Sequence, residues 1–146
     1  MHLLIPILVT LVGGIILAVQ PPTNAMLARA SGSVVLAALV SFVVGTAAIA
    51  AIWLAGDRTS PTLLKGVPAW AWLGGLYGAF YVGAAAYAAP RLGVASMLTI
   101  AIASQLMAAL VLDHFGLLGL DRTPVTATRL GGVLLVLLGV VLVRRG

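Results

Sequence analysis

Five long stretches of this 146-residue chain carry no Asp, Glu, Lys or Arg: residues 1–28, 30–56, 66–90, 92–112 and 130–143. A helix crosses a hydrocarbon core about 30 Å thick with roughly 20 apolar residues, and the first four stretches reach that length. The fifth has 14 residues. It reaches span length if its helix starts near Pro124, since proline suits a first helical turn, and if Arg129 extends its guanidinium to the interface. The alternating segments of about ten residues that build a membrane β-barrel are absent. The composition agrees, with 62% of residues hydrophobic and 8% charged. A soluble domain has about a quarter of its residues charged, and so few charges could not cover a water-exposed surface. The fold class that follows is an all-α membrane protein with five transmembrane helices in one domain over residues 1–146.

The breaks set the expected helices. The first spans about 3–30 and is kinked at 21–22, where Pro21 and Pro22 remove two backbone donors; Ser31-Gly32-Ser33 marks the turn after it. The others span about 34–55, 69–89, 94–112 and 126–143. Trp70 and Trp72 open the third, as suits amphipathic rings at a headgroup boundary. No Lys or Arg precedes the first apolar run, so a retained helix is expected rather than a cleaved signal peptide.

Several classes of chemistry are excluded or disfavoured. The chain has no cysteine, so it has no disulfide, thiol catalyst or thiolate-held metal. It has no glutamate, and its acids are Asp57, Asp113 and Asp121. No nucleophile–His–acid set, phosphate loop or metal cluster is present, so neither an enzyme nor a bound cofactor or metal is expected. The net charge of +5 comes from cations scattered singly between apolar blocks, which is loop decoration rather than a nucleic-acid surface.

Cytoplasmic loops normally hold the excess of Lys and Arg. Five spans put Arg58, Lys65, Arg122 and Arg129 on one side and Arg29, Arg91, Arg144 and Arg145 on the other, four against four. A chain without bias has no strong instruction about its orientation. Two readings follow: copies inserted both ways and paired antiparallel, or a fixed topology set by a partner or by other features.

Within the spans, small residues permit close helix contact. They form rows on the third helix at Gly74 and Gly78 and at Gly75, Ala79 and Gly83, and recur on the fifth at Gly132 and Gly139. Polar residues at membrane depth are the stronger pointers to function. Gln20 and Asn24 share a helix face across the two prolines. They either line a polar cavity or satisfy the carbonyls that the prolines free. Ser104 and Gln105 lie in the fourth helix and either join the same cavity or bond a neighbouring helix. Ser41 and Tyr81 are weaker candidates for the cavity, because Ser41 can bond its own backbone and tyrosines mostly pack. Asp113 and His114 end the fourth helix. They are either interfacial residues or a proton relay, histidine being the side chain that switches charge near neutral pH.

Six segments carry a resemblance. They are Gln20-Pro21-Pro22-Thr23-Asn24-Ala25, Ser41-Phe42-Val43-Val44-Gly45-Thr46, Trp70-Ala71-Trp72-Leu73-Gly74-Gly75, Gln105-Leu106, Asp113-His114-Phe115-Gly116 and Arg129-Leu130-Gly131-Gly132. Over nearly its whole length the chain resembles the YdcZ-like inner-membrane exporters of the drug/metabolite transporter superfamily. One departure is Ser104, where the motif often has glycine before Gln105. The resemblance implies a five-helix unit in a bacterial inner membrane, with single chains pairing as antiparallel homodimers. It does not imply a substrate. The superfamily's small multidrug resistance proteins exchange protons for cationic drugs through a membrane-embedded glutamate. This chain has none, so a neutral, amphipathic or anionic substrate fits better.

The function expected is a small secondary transporter, with itself, membrane lipid and a small molecule as partners. The competing expectation is a non-transporting scaffold, accessory or lipid-binding protein.

Overall fold

The structure is a computed structural model that describes residues 4–145. Among them the elements are helices and helical turns, with no strand. The chain forms two compact units, Met1–Arg91 and Leu92–Gly146.

The first unit begins with α1, Leu4–Ser31, which continues through Pro21 and Pro22. Its 28 residues extend about 42 Å at 1.5 Å per residue, longer than the hydrocarbon core. Ser31 returns its hydroxyl to the Leu27 carbonyl at 2.8 Å. Gly32 then turns the chain at a φ of 70°, a left-handed geometry that glycine adopts without steric cost. Ser33 caps α2 (Val34–Ile52) by accepting from the Leu36 N–H at 3.1 Å. So short a connection makes α1 and α2 an antiparallel hairpin, and the two pack together.

Beyond Ile52 the helix widens into a π-helical turn, Trp53–Asp57. It closes where the Arg58 N–H meets the Trp53 carbonyl at 2.8 Å. The Trp53 indole N–H donates to the Thr59 carbonyl at 3.1 Å, tying the loop to the helix end. A short 3-10 turn follows at Pro61–Leu64, capped by Ser60.

The third helix starts later than the sequence indicates. Ala69–Leu73 is a 3-10 turn, and α3 proper is Gly74–Leu92. Pro68 sets an extended start, and the adjacent Gly74 and Gly75 resist helix propagation. At its other end α3 passes Pro90 and stops at Leu92, so Pro90 and Arg91 belong to the helix rather than to a turn. Arg91 holds this end, donating to the Tyr87 carbonyl at 2.5 Å with its guanidinium 3.6 Å from the centre of the Tyr87 ring.

The second unit is the pair α4 (Val94–Phe115) and α5 (Ala127–Arg145), which pack together. Their connector contains a 3-10 turn at Leu117–Gly119. Thr126 starts α5, its hydroxyl accepting from the Arg129 N–H at 3.3 Å.

Among the described residues, α1, α4, α5 and the run Val34–Asp57 are long and apolar enough to cross a membrane. The fifth helix, α3, is diluted by glycine, alanine and tyrosine. Burial points to the same solvent. Ala25, Ala37, Ala85, Ala86 and Ala89 are buried, while Ile5, Val35, Ile52, Phe80 and Leu135 are each about 70–80% exposed. A water-soluble core would invert that order. Small residues at helix contacts and large apolar ones facing outward are what packing in lipid requires.

Candidate substrate site

The prolines of α1 define the site. An α-helical N–H at one position bonds the carbonyl four residues earlier, so Pro21 and Pro22 leave the carbonyls of Leu17 and Ala18 without that donor. Thr23 bonds the Val19 carbonyl instead, at 2.8 Å. Three residues beyond Pro21 stands Asn24, 3% exposed, and its side-chain nitrogen has no hydrogen-bond partner. Pro21 is fully buried and Gln20 half-buried. The Gln20–Asn24 face is therefore the one α1 turns inward at Asn24.

Depth gives this face its meaning. Asn24 is eight residues before Gly32, or about 12 Å along the axis, inside the apolar run of α1. Ser41 stands eight residues past Ser33 on α2, so it lies level with Asn24, and it is half-buried. Tyr81 on α3 is also half-buried, whereas Tyr77 is 62% exposed. The Phe42 ring meets α3 at Gly78, where a Cβ would lie 3.4 Å from the ring edge. The other small positions have room to spare: added Cβ atoms at Gly74, Gly75, Gly83, Gly132 and Gly139 would meet nothing within 4 Å, and Ala79 is exposed.

Ser104 and Gln105 belong to the second unit. Both are exposed on α4, and the Ser104 hydroxyl donates to the Ala101 carbonyl at 2.8 Å.

Asp113 and His114 hold the connector instead of each other. The Asp113 carboxylate pairs with Arg129 at 3.2 Å, and its backbone carbonyl accepts from the Thr123 N–H at 2.7 Å. The His114 ring accepts at Nδ1 from the Val125 N–H at 3.2 Å, and its carbonyl accepts from Arg122 at 3.1 Å. The Phe115 ring meets it edge-on at 4.7 Å. Sequence reasoning missed Arg122 and Arg129 as partners here. The available signal was the pairing of scarce charges, two acids and two arginines within residues 113–129.

Among the described residues no group of His, Asp or Glu could hold a metal ion. The site is therefore an uncharged, hydrogen-bonding one inside an apolar helix, and the molecule is of the multi-pass helical membrane class. The family model described as "Putative inner membrane exporter, YdcZ" matches residues 5–142, and the chain belongs to that family. It is a multi-pass inner-membrane protein of an exporter family rather than an enzyme family. Comparisons with the curated proteins and with the solved structures returned no match.

Proposed function

We propose that the chain is a small secondary transporter: a single five-helix domain that works as a dual-topology antiparallel homodimer, with the Gln20–Asn24 face of α1 in the substrate path. One observation carries this reading: the Asn24 amide nitrogen is buried within the apolar run of α1 with no partner. Polar groups at that depth are costly and mark substrate pathways. Ser41 and Tyr81 of the same unit complete the proposed cavity. The balance of four cations against four supports insertion in both orientations. The unfilled space at Gly74 and Gly75 supports a close contact with a second copy.

A second reading, a lipid-binding module, has its own observation. In the second unit an apolar groove of about 390 Å³ is lined by residues including Met107, Val111, Phe115, Leu130 and Leu134. Two measurements separate the readings. Compartment-specific reporters fused to the C-terminus should both be active; activity of only one removes dual insertion. Protein-dependent solute flux in proteoliposomes is expected for a transporter, whereas lipid capture with no flux across a broad solute screen supports the second reading.

A further inference from the structure

We infer that the α1 site takes an uncharged group that both accepts and donates a hydrogen bond, such as a hydroxyl or carboxamide carried by an amphipathic molecule. The inference rests on α1 lying in the transport path.

The donor half of the site is the Asn24 amide, whose nitrogen is buried and unpartnered. An amide NH2 offers two donors and no acceptor, so it requires an acceptor on the ligand. The acceptor half comes from the prolines, which leave the Leu17 and Ala18 carbonyls without their helical donors. Leu17 and Asn24 are one heptad apart and so lie within about 20° of each other around the helix. The Asn24 side chain leans toward the N-terminal end, over the turn that holds Pro21. Donor and acceptor therefore share one face about a turn apart.

This pairing discriminates against ions of either sign. A carboxylate would satisfy the Asn24 amide but set its own lone pairs against the freed carbonyls. An ammonium would satisfy the carbonyls, and could be met by the Asn24 Oδ1, but would leave the amide NH2 without an acceptor. Residues 1–28 and 30–56 carry no counter-charge for either. The nearest charge along α1 is Arg29, five residues on and about 7.5 Å toward the loop. An ion at this depth would lose its hydration with nothing to replace it. A hydroxyl or carboxamide meets both halves at once.

The chain contains a single asparagine, Asn24. Isotope-labelled asparagine therefore yields one side-chain NH2 resonance, and it reports on this site alone. Full-length protein in lipid nanodiscs is titrated with chain-matched hexanol, hexanamide, hexanoate and hexyltrimethylammonium. The expected result is a saturable displacement of the resonance by hexanol and hexanamide, with each ion at least about tenfold weaker, a ratio worth about 1.4 kcal/mol. Equal or tighter saturation by either ion overturns the inference, as does the absence of saturable displacement by all four. Saturation by the neutral probes without solute flux in proteoliposomes removes the transport reading and leaves the ligand class standing. Flux without any response at Asn24 does the reverse.

Discussion

The two helix hairpins of this chain treat their polar groups in opposite ways. In α1–α2 the connection is two residues, Gly32 and Ser33, and the conspicuous polar group, Asn24, is buried inside the apolar helix with its amide nitrogen unpaired. In α4–α5 the connector is long, and its polar groups are tied down. Asp113 holds Arg129 and the Thr123 N–H, while His114 holds the Val125 N–H and Arg122. Apolar helices bury few polar groups, so each one is informative. Groups at a helix end, within reach of water, are used to fix a loop. A group left unpaired where water is scarce costs about 1–3 kcal/mol, and the proposed ligand is what would offset that cost here.

The sharpest way to break this contrast is Asn24→Leu, a near-isosteric change that removes the unpaired amide. Two effects of opposite sign are expected. Flux of any solute the protein carries should fall by roughly five-fold to a hundredfold, since a hydrogen bond to a buried partner is worth roughly 1–3 kcal/mol. Thermal unfolding in detergent should shift upward, by about 1–3 kcal/mol of recovered desolvation cost. Loss of both flux and stability would mean that Asn24 is a structural residue whose partner forms only in the assembled dimer.

In the α4–α5 hairpin the largest effect is expected at Gly116. It ends α4 at a φ of 62°, and a Cβ there would approach the Leu120 carbonyl oxygen to 3.1 Å and the Arg122 backbone to 3.4 Å. A left-handed alanine costs about 1–2 kcal/mol, and the contact with backbone adds to it. Gly116→Ala should therefore destabilise by about 2–3 kcal/mol, seen as a lower unfolding midpoint and faster hydrogen exchange at the Thr123 and Val125 amides. Unchanged exchange at those two amides would show that the connector does not depend on this turn.

What could be read in advance follows the same contrast. The helices were legible because charges and Gly/Ser or Pro turns punctuate the apolar runs, and lipid forces backbone pairing within each run. The α3 start was not legible: Trp70 and Trp72 fit an α-helix as well as the 3-10 turn they occupy, and what decides is the restraint from Pro68 together with Gly74 and Gly75. The Gln20–Asn24 face was legible from spacing alone. That Asn24 is the more buried of the two was not, because the spacing does not say how the neighbouring helices cover this face. The connector bonds were least legible. The Arg129–Asp113 pair and the His114–Val125 bond span 16 and 11 residues, and a loop's path over such distances follows from its turns, here Gly116 and the left-handed Leu118, rather than from any periodicity.

The smallest effect tests whether bonds or charge hold the connector. The Arg129–Asp113 pair is one-third exposed on both sides. An exposed ion pair contributes roughly 0–1 kcal/mol and weakens with salt. Asp113 also acts through its backbone carbonyl, which the Thr123 N–H reaches whatever the side chain does. Arg129→Ala should therefore lower the unfolding midpoint only slightly, by less than about 1 kcal/mol, and the difference from the unmodified chain should shrink as salt is raised. A loss as large as that of Gly116→Ala, persisting at high salt, would make the ion pair rather than the turn the element that organises this end of the hairpin. The contrast between the two hairpins would then be one between a charged end and an uncharged centre, with hydrogen-bond satisfaction following from charge placement.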